Sequence, residues 1–187
     1  MRCAYCASLA LSAGEVMNRV IKIVENTKEL QESHEIMRNG RGAFIDQMCW
    51  IDWITSEILT LFFVQDEERR KLFRSDLVGN NGISVNKKID LLAAIPFQQL
   101  EISPDLISSL RGLNQFRNKL AHAQMDTSAN YMATFTGKSV DKVNFLYWQK
   151  SEEKSLEVTI REFDQKLKDC SDCMQKLHAI YATLSNA

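Results

Sequence analysis

Pro96 and Pro104 are the only prolines in the 187-residue chain, and each sits where a helix would stop or start. Proline removes a backbone donor and clashes with the preceding turn, so a chain almost free of it can run long helices. Glycine, the other common breaker, occurs seven times. Between these breakers the apolar residues recur at steps of three and four, the period of a helix with one buried face. The chain reads as mainly α, an antiparallel helical bundle, with one interruption in its last third.

The interruption lies after His122, where the period drops to two. The stretches 131–136 and 143–148 are rich in β-branched and aromatic residues and read as the strands of a small β-hairpin. The loop between them falls on 137–142, and 156–158 reads as a short third strand. Such a ribbon needs helices to lie on, because two or three strands alone are marginal in water. The hairpin, at about 131–150, is thus an insertion before the C-terminal helix. With no linker or repeat, 1–187 reads as one domain.

The helices have legible ends. Ser12 and Glu15 have capping-box spacing and start a helix near Ala13. Asn39-Gly40 reads as its stop. A second helix spans about 43–64 and carries Phe44, Met48, Ile51, Ile54 and Ile58 on one side. Trp50 and Trp53 widen that apolar surface, which implies burial on two sides or an oligomer interface. The charged run 65–70 reads as a solvated turn and first helical turn, with a short helix through Leu72, Phe73 and Leu77 after it. Ser84 caps a helix that Pro96 ends. Thr159 and Glu162 form the clearest capping box, and the last helix follows it.

Composition narrows the function. Charged residues make up 25% of the chain and hydrophobic ones 45%, as in ordinary globular proteins. The net charge of -1 excludes a molecule-wide basic field, so any nucleic-acid surface must be a local patch. No apolar run approaches the roughly 18 residues of a membrane span, so no membrane partner is expected. Five cysteines cannot all pair within one chain, and a reduced, cytoplasmic protein is the simpler reading. Cys3-x-x-Cys6 and Cys170-x-x-Cys173 resemble zinc knuckles in spacing alone. They lie far apart, the second pair falls inside a helix, and Cys49 also fits core packing. The opening MRCAYCASLALSAG reads as part of the first helix or a lead-in to it.

The chemistry concentrates at the end of one helix. Ser103 caps it, Pro104 takes its first position, and Leu106, Leu110, Leu113, Phe116 and Leu120 form its apolar face. It closes on Arg117, Asn118, Lys119 and His122. Asn118 and His122 are four apart and share a face, whereas Arg117 and His122 stand about 140° apart around the helix. Imidazole takes or gives a proton near neutral pH. Guanidinium grips two phosphate oxygens and stabilises the charge of a transition state, and an amide can orient either group. The cluster suits phosphodiester chemistry. It holds no carboxylate set for Mg²⁺, so neither metal nor cofactor is expected. The competing reading makes Arg117 and Lys119 partners of the helix dipole and His122 a C-terminal cap.

Arg117-Asn118-Lys119-Leu120-Ala121-His122 resembles the R-x4–6-H motif of HEPN domains (higher eukaryotes and prokaryotes nucleotide-binding), including the Asn after the Arg. A long helix ending in Leu61-Phe62-Phe63, the segment from Ile83 to Leu92, and the motif near a helix end follow in the same order. The resemblance covers about 44–122. It implies an all-α homodimer whose motif helices meet at a cleft. It also implies a metal-independent endoribonuclease of toxin–antitoxin or defence systems, with a cognate antitoxin as partner. Arg117 and His122 would be catalytic and Asn118 accessory. Lys119 would assist substrate binding, and Asp52 would be the acidic residue that active members carry on an earlier helix. RNA would be cut to 2′,3′-cyclic phosphate ends. Other members of that family have lost activity. The alternative is therefore a non-catalytic homodimeric module that binds RNA, a nucleotide or a protein.

Overall fold

The structure is a computed structural model that describes residues 13–79, 82–96, 100, 102–125, 142–149 and 152–186. It is mainly helical, with a small antiparallel hairpin before the last helix. The elements are α1 (Ala13–Phe63), α2 (Glu67–Leu72), a π-helical segment (Phe73–Gly79), α3 (Val85–Ala93), α4 (Pro104–Ala121), β1 (Gln124–Met125), β2 (Lys142–Gln149), β3 (Glu152–Thr159) and α5 (Ile160–Ser185). No helix among the described residues is long and apolar enough to cross a membrane.

One helix stands where the sequence suggested two. α1 runs unbroken through Asn39-Gly40 for 51 residues, about 75 Å at 1.5 Å per residue. Tertiary packing overrides the local stop signal. Met37, Phe44 and Met48 are all buried and lie on one face across the expected break. At Gly40, a Cβ would lie 3.6 Å from the ring of Phe163 on α5. The glycine thus sits at a close helix–helix contact instead of at a cap.

α1 is the axis for the rest. α5 lies beside it in the same direction, since Phe163 meets Gly40 and Cys170 Sγ lies 3.9 Å from Met48 Sδ. α4 runs the other way: Phe116 packs edge-on to Phe44, ring centroids 5.1 Å apart. Phe163 joins both helices to the sheet, contacting Phe116 at 5.8 Å and Phe145 of β2 at 6.3 Å. A single buried apolar cluster runs through α1, α3, α4, α5 and the sheet.

The hairpin differs in its strands. β2 pairs with β3 from Lys142↔Thr159 to Gln149↔Glu152, and β1 adds Gln124↔Leu146 and Met125↔Phe145. The expected strand at 131–136 lies outside the described residues. The short third strand is instead an eight-residue partner. Its first half, Glu152-Glu153-Lys154-Ser155, has the wrong composition for a strand. Pairing with β2 and burial of Val158 against Val143 decide it. β3 then runs straight into α5, where Thr159 and Glu162 cap reciprocally as expected. Thr159 donates to Glu162 Oε2 from its backbone N–H and from its hydroxyl, and these two bonds, backbone first, hold the Glu162 carboxyl below its ordinary pKa.

Two cysteine expectations part ways. Cys170 and Cys173 are buried free thiols, and burial pushes Cys170 up to about 12. Cys49 is exposed, so it does not pack in the core. Cys3 and Cys6 lie outside the described residues.

The continuity of α1 is open to test. A helix-ending glycine resists alanine, whereas a mid-helix glycine gains about 0.5–1 kcal/mol from it. Nothing lies within 4 Å of a Cβ placed at Gly42. Gly42→Ala should therefore raise the urea midpoint, and a lower midpoint would contradict the unbroken helix. A second expectation concerns thiol reactivity. In the native state Cys49 should react with iodoacetamide far faster than Cys170, as mass mapping would read.

Candidate functional site

α4 carries the motif and is built as its sequence suggests. Ser103 Oγ accepts the Leu106 N–H at 3.2 Å, and Pro104 occupies the first turn. Leu106, Ile107, Leu110, Leu113 and Leu120 are buried, so the face they form points inward. The helix stays regular through Ala121, and His122 is its C-cap residue. The wide angle between Arg117 and His122 is therefore kept within one protomer.

His122 is exposed and borders a recess of about 520 Å³ lined by Arg38, Arg41, Ala121, His122, Ala123 and Gln124. Arg117 is absent from that lining. It is half-buried, and its Nη1 donates to Asn118 Oδ1 at 3.1 Å. Asn118 thus engages the arginine on its own stretch of helix. Lys119 is exposed one turn before His122. The structure brings Arg117 together with Asn118, and His122 together with two arginines of α1.

Those two arginines were not singled out from the sequence. Arg41 Nη1 donates to Ala123 O at 2.9 Å and its Nη2 to Ala121 O at 3.3 Å. The guanidinium caps the carbonyl end of α4, where a positive charge also suits the helix dipole. This is the task the competing reading gave to Arg117 and Lys119, done by another helix. The clue was present as Arg38-Asn39-Gly40-Arg41. Reading Asn39-Gly40 as a helix stop placed Arg38 at a helix end and Arg41 in a loop, with no partner to suggest.

Asp52 lies elsewhere. Its Oδ1 accepts from Lys88 Nζ of α3 at 2.7 Å, and the lysine side chain is 4% exposed. Eleven residues of α1 separate Asp52 from Arg41, about 16 Å along the axis. The carboxylate neutralises a buried ammonium and is not at the recess. Arg111 of α4 is engaged as well, since it pairs with Asp90 at 2.9 Å. Asn114, one turn before Asn118, is buried and donates to Asn86 at 2.7 Å. Among the described residues, Arg38 and Lys119 have no ion-pair partner.

Chemically, the recess offers an imidazole beside two guanidiniums, one fixed and one unengaged among the described residues. That set can hold an anion with delocalised charge and move a proton beside it. No group of three or more metal-ligating side chains exists among the described residues. A second cavity of about 530 Å³, at the other end of α4, is lined by Ser108, Arg111 and Gln115 with apolar neighbours and lacks a proton-transfer group.

The role of Asp52 has a direct check. Asp52→Asn leaves the Lys88 ammonium buried without its counter-charge, which costs about 3 kcal/mol or more. Lys88→Met in the same chain should recover most of that loss in urea denaturation. A variant as stable as wild type would free Asp52 for another task. Searches against protein-family models, curated proteins and solved structures found no match for this chain.

Proposed function

We propose that this protein is a metal-independent endoribonuclease, with His122 moving the proton, Arg38 holding the phosphate and Arg41 positioning the segment that carries His122. The observation that carries this reading is the recess at the end of α4, which exposed His122 lines together with Arg38 and Arg41 of α1. The HEPN-like motif, Arg117-Asn118 with His122, supports it through the shared His122. A cytoplasmic location, a toxin or defence role and a cognate antitoxin belong to the same reading through that resemblance.

The reaction uses the substrate's own nucleophile. His122 takes the proton of a ribose 2′-OH as that oxygen attacks the adjacent phosphorus. A 2′,3′-cyclic phosphate forms, the bond to the 5′-oxygen breaks, that oxygen takes a proton from water, and His122 returns its proton to solvent. Arg38 neutralises the non-bridging oxygens as charge builds on them. Arg41 contributes by position, because its hydrogen bonds to the carbonyls of Ala121 and Ala123 fix the segment that carries His122. Lys119 adds attraction for the RNA backbone.

The second reading is a non-catalytic module that binds RNA, a nucleotide or a protein. The engagement of Arg41 with helix carbonyls favours it, since that bond serves packing without any substrate.

Incubation of RNA with the full chain in EDTA separates the two. Cleavage with cyclic-phosphate ends is expected, and His122→Ala should lower it by about a hundredfold or more. Arg38→Ala should cost about 1.5–3 kcal/mol of phosphate binding, roughly ten- to a hundredfold in apparent affinity. RNA that binds and stays intact, with His122→Ala binding equally well, would select the second reading.

A further inference from the structure

Trp50 and Trp53 are not core residues. They stand 55% and 48% exposed on α1, in an edge-to-face pair with centroids 5.7 Å apart. Ile36, two turns further back than Ala43, is 50% exposed. Monomeric proteins seldom leave large side chains so open along one helix face. We propose that this face of α1 is a two-fold interface with a second copy of the chain, the two helices crossing antiparallel at Ala43.

The spacing of the face is what selects a second copy. Ile36 and Trp50 lie seven residues on either side of Ala43, each within about 20° of it around the helix. An antiparallel two-fold axis through Ala43 therefore sets Trp50 against the partner's Ile36 at both ends. A two-fold contact must be complementary to itself, and this sequence of large, small and large residues is. Ala43 is exposed, and its small side chain lets the two backbones approach at the crossing.

The polar neighbours match in the same register. Asn39 and Asp46 are both exposed and lie on one side of the central line. The two-fold axis brings Asn39 beside the partner's Asp46, an amide donor beside a carboxylate acceptor. Trp53 comes beside the partner's Glu35, so its indole N–H also gains an acceptor. This pairing stands whether or not the recess cleaves RNA, and it uses the other side of α1.

Sedimentation equilibrium of the full chain tests it. The expected mass is twice 21.4 kDa. Trp50→Asp should return it to a single chain with unchanged far-UV circular dichroism, since the side chain is exposed. In a background with Cys3, Cys6 and Cys49 changed to Ser, Ala43→Cys should cross-link to itself on oxidation. A wild-type chain that sediments as a monomer overturns the proposal, including one whose Trp50 face takes up lipid vesicles or another protein. So does a dimer that Trp50→Asp leaves intact, or one in which Ala43→Cys does not cross-link.

Discussion

Four phenylalanine rings tie the architecture together. Phe44 of α1, Phe116 of α4, Phe163 of α5 and Phe145 of β2 contact one another in sequence, edge to face, across centroid distances of 5.1, 5.8 and 6.3 Å. Each such pair adds about 0.5–1.5 kcal/mol beyond its buried area, and the geometry is directional. The cluster therefore sets angles as well as stability. It fixes α4 antiparallel to α1, starts α5 beside Gly40, and seats the sheet on both.

The recess at His122 follows from that cluster. Once Phe116 is docked on Phe44, the last turn of α4 reaches α1 near Arg41. The carbonyls that a helix end leaves unpaired then meet a guanidinium instead of water. Arg41 closes the end of α4, and His122 is left exposed just beyond it. Arg38, one turn earlier on α1, completes the basic side. The candidate chemistry is thus a by-product of how one helix is capped by another. The same geometry explains why Asp52 cannot join it, since it stands further along α1 opposite α3, beside a buried lysine.

The faces of α1 divide the labour. One side carries the core seam, from Met37 through Phe44, Met48 and Ile51 to Ile58. Beside that seam, Arg38 and Arg41 turn toward the end of α4. The side away from the bundle carries Ile36, Ala43 and the two tryptophans. A helix of 51 residues is long enough to do all three. A break at Asn39-Gly40 would have separated them.

The sequence by itself determined the helical class, the caps at Ser84, Ser103 and Thr159, and the buried face of α4. These are local matters: a hydroxyl reaches a backbone N–H three residues on, and apolar spacing reports one face of one helix. Only the tertiary structure decided that α1 passes through Asn39-Gly40, because the ring of Phe163 and the buried residues on either side come from distant parts of the chain. It also decided that β3 is a full strand, since Val143 draws Val158 under cover despite the charged residues before it. The pairing of His122 with Arg38 and Arg41 was likewise hidden. Those arginines are some 80 residues from the histidine, and no local period links them. Contact across such a separation depends on how helices pack, which a single stretch of sequence does not encode.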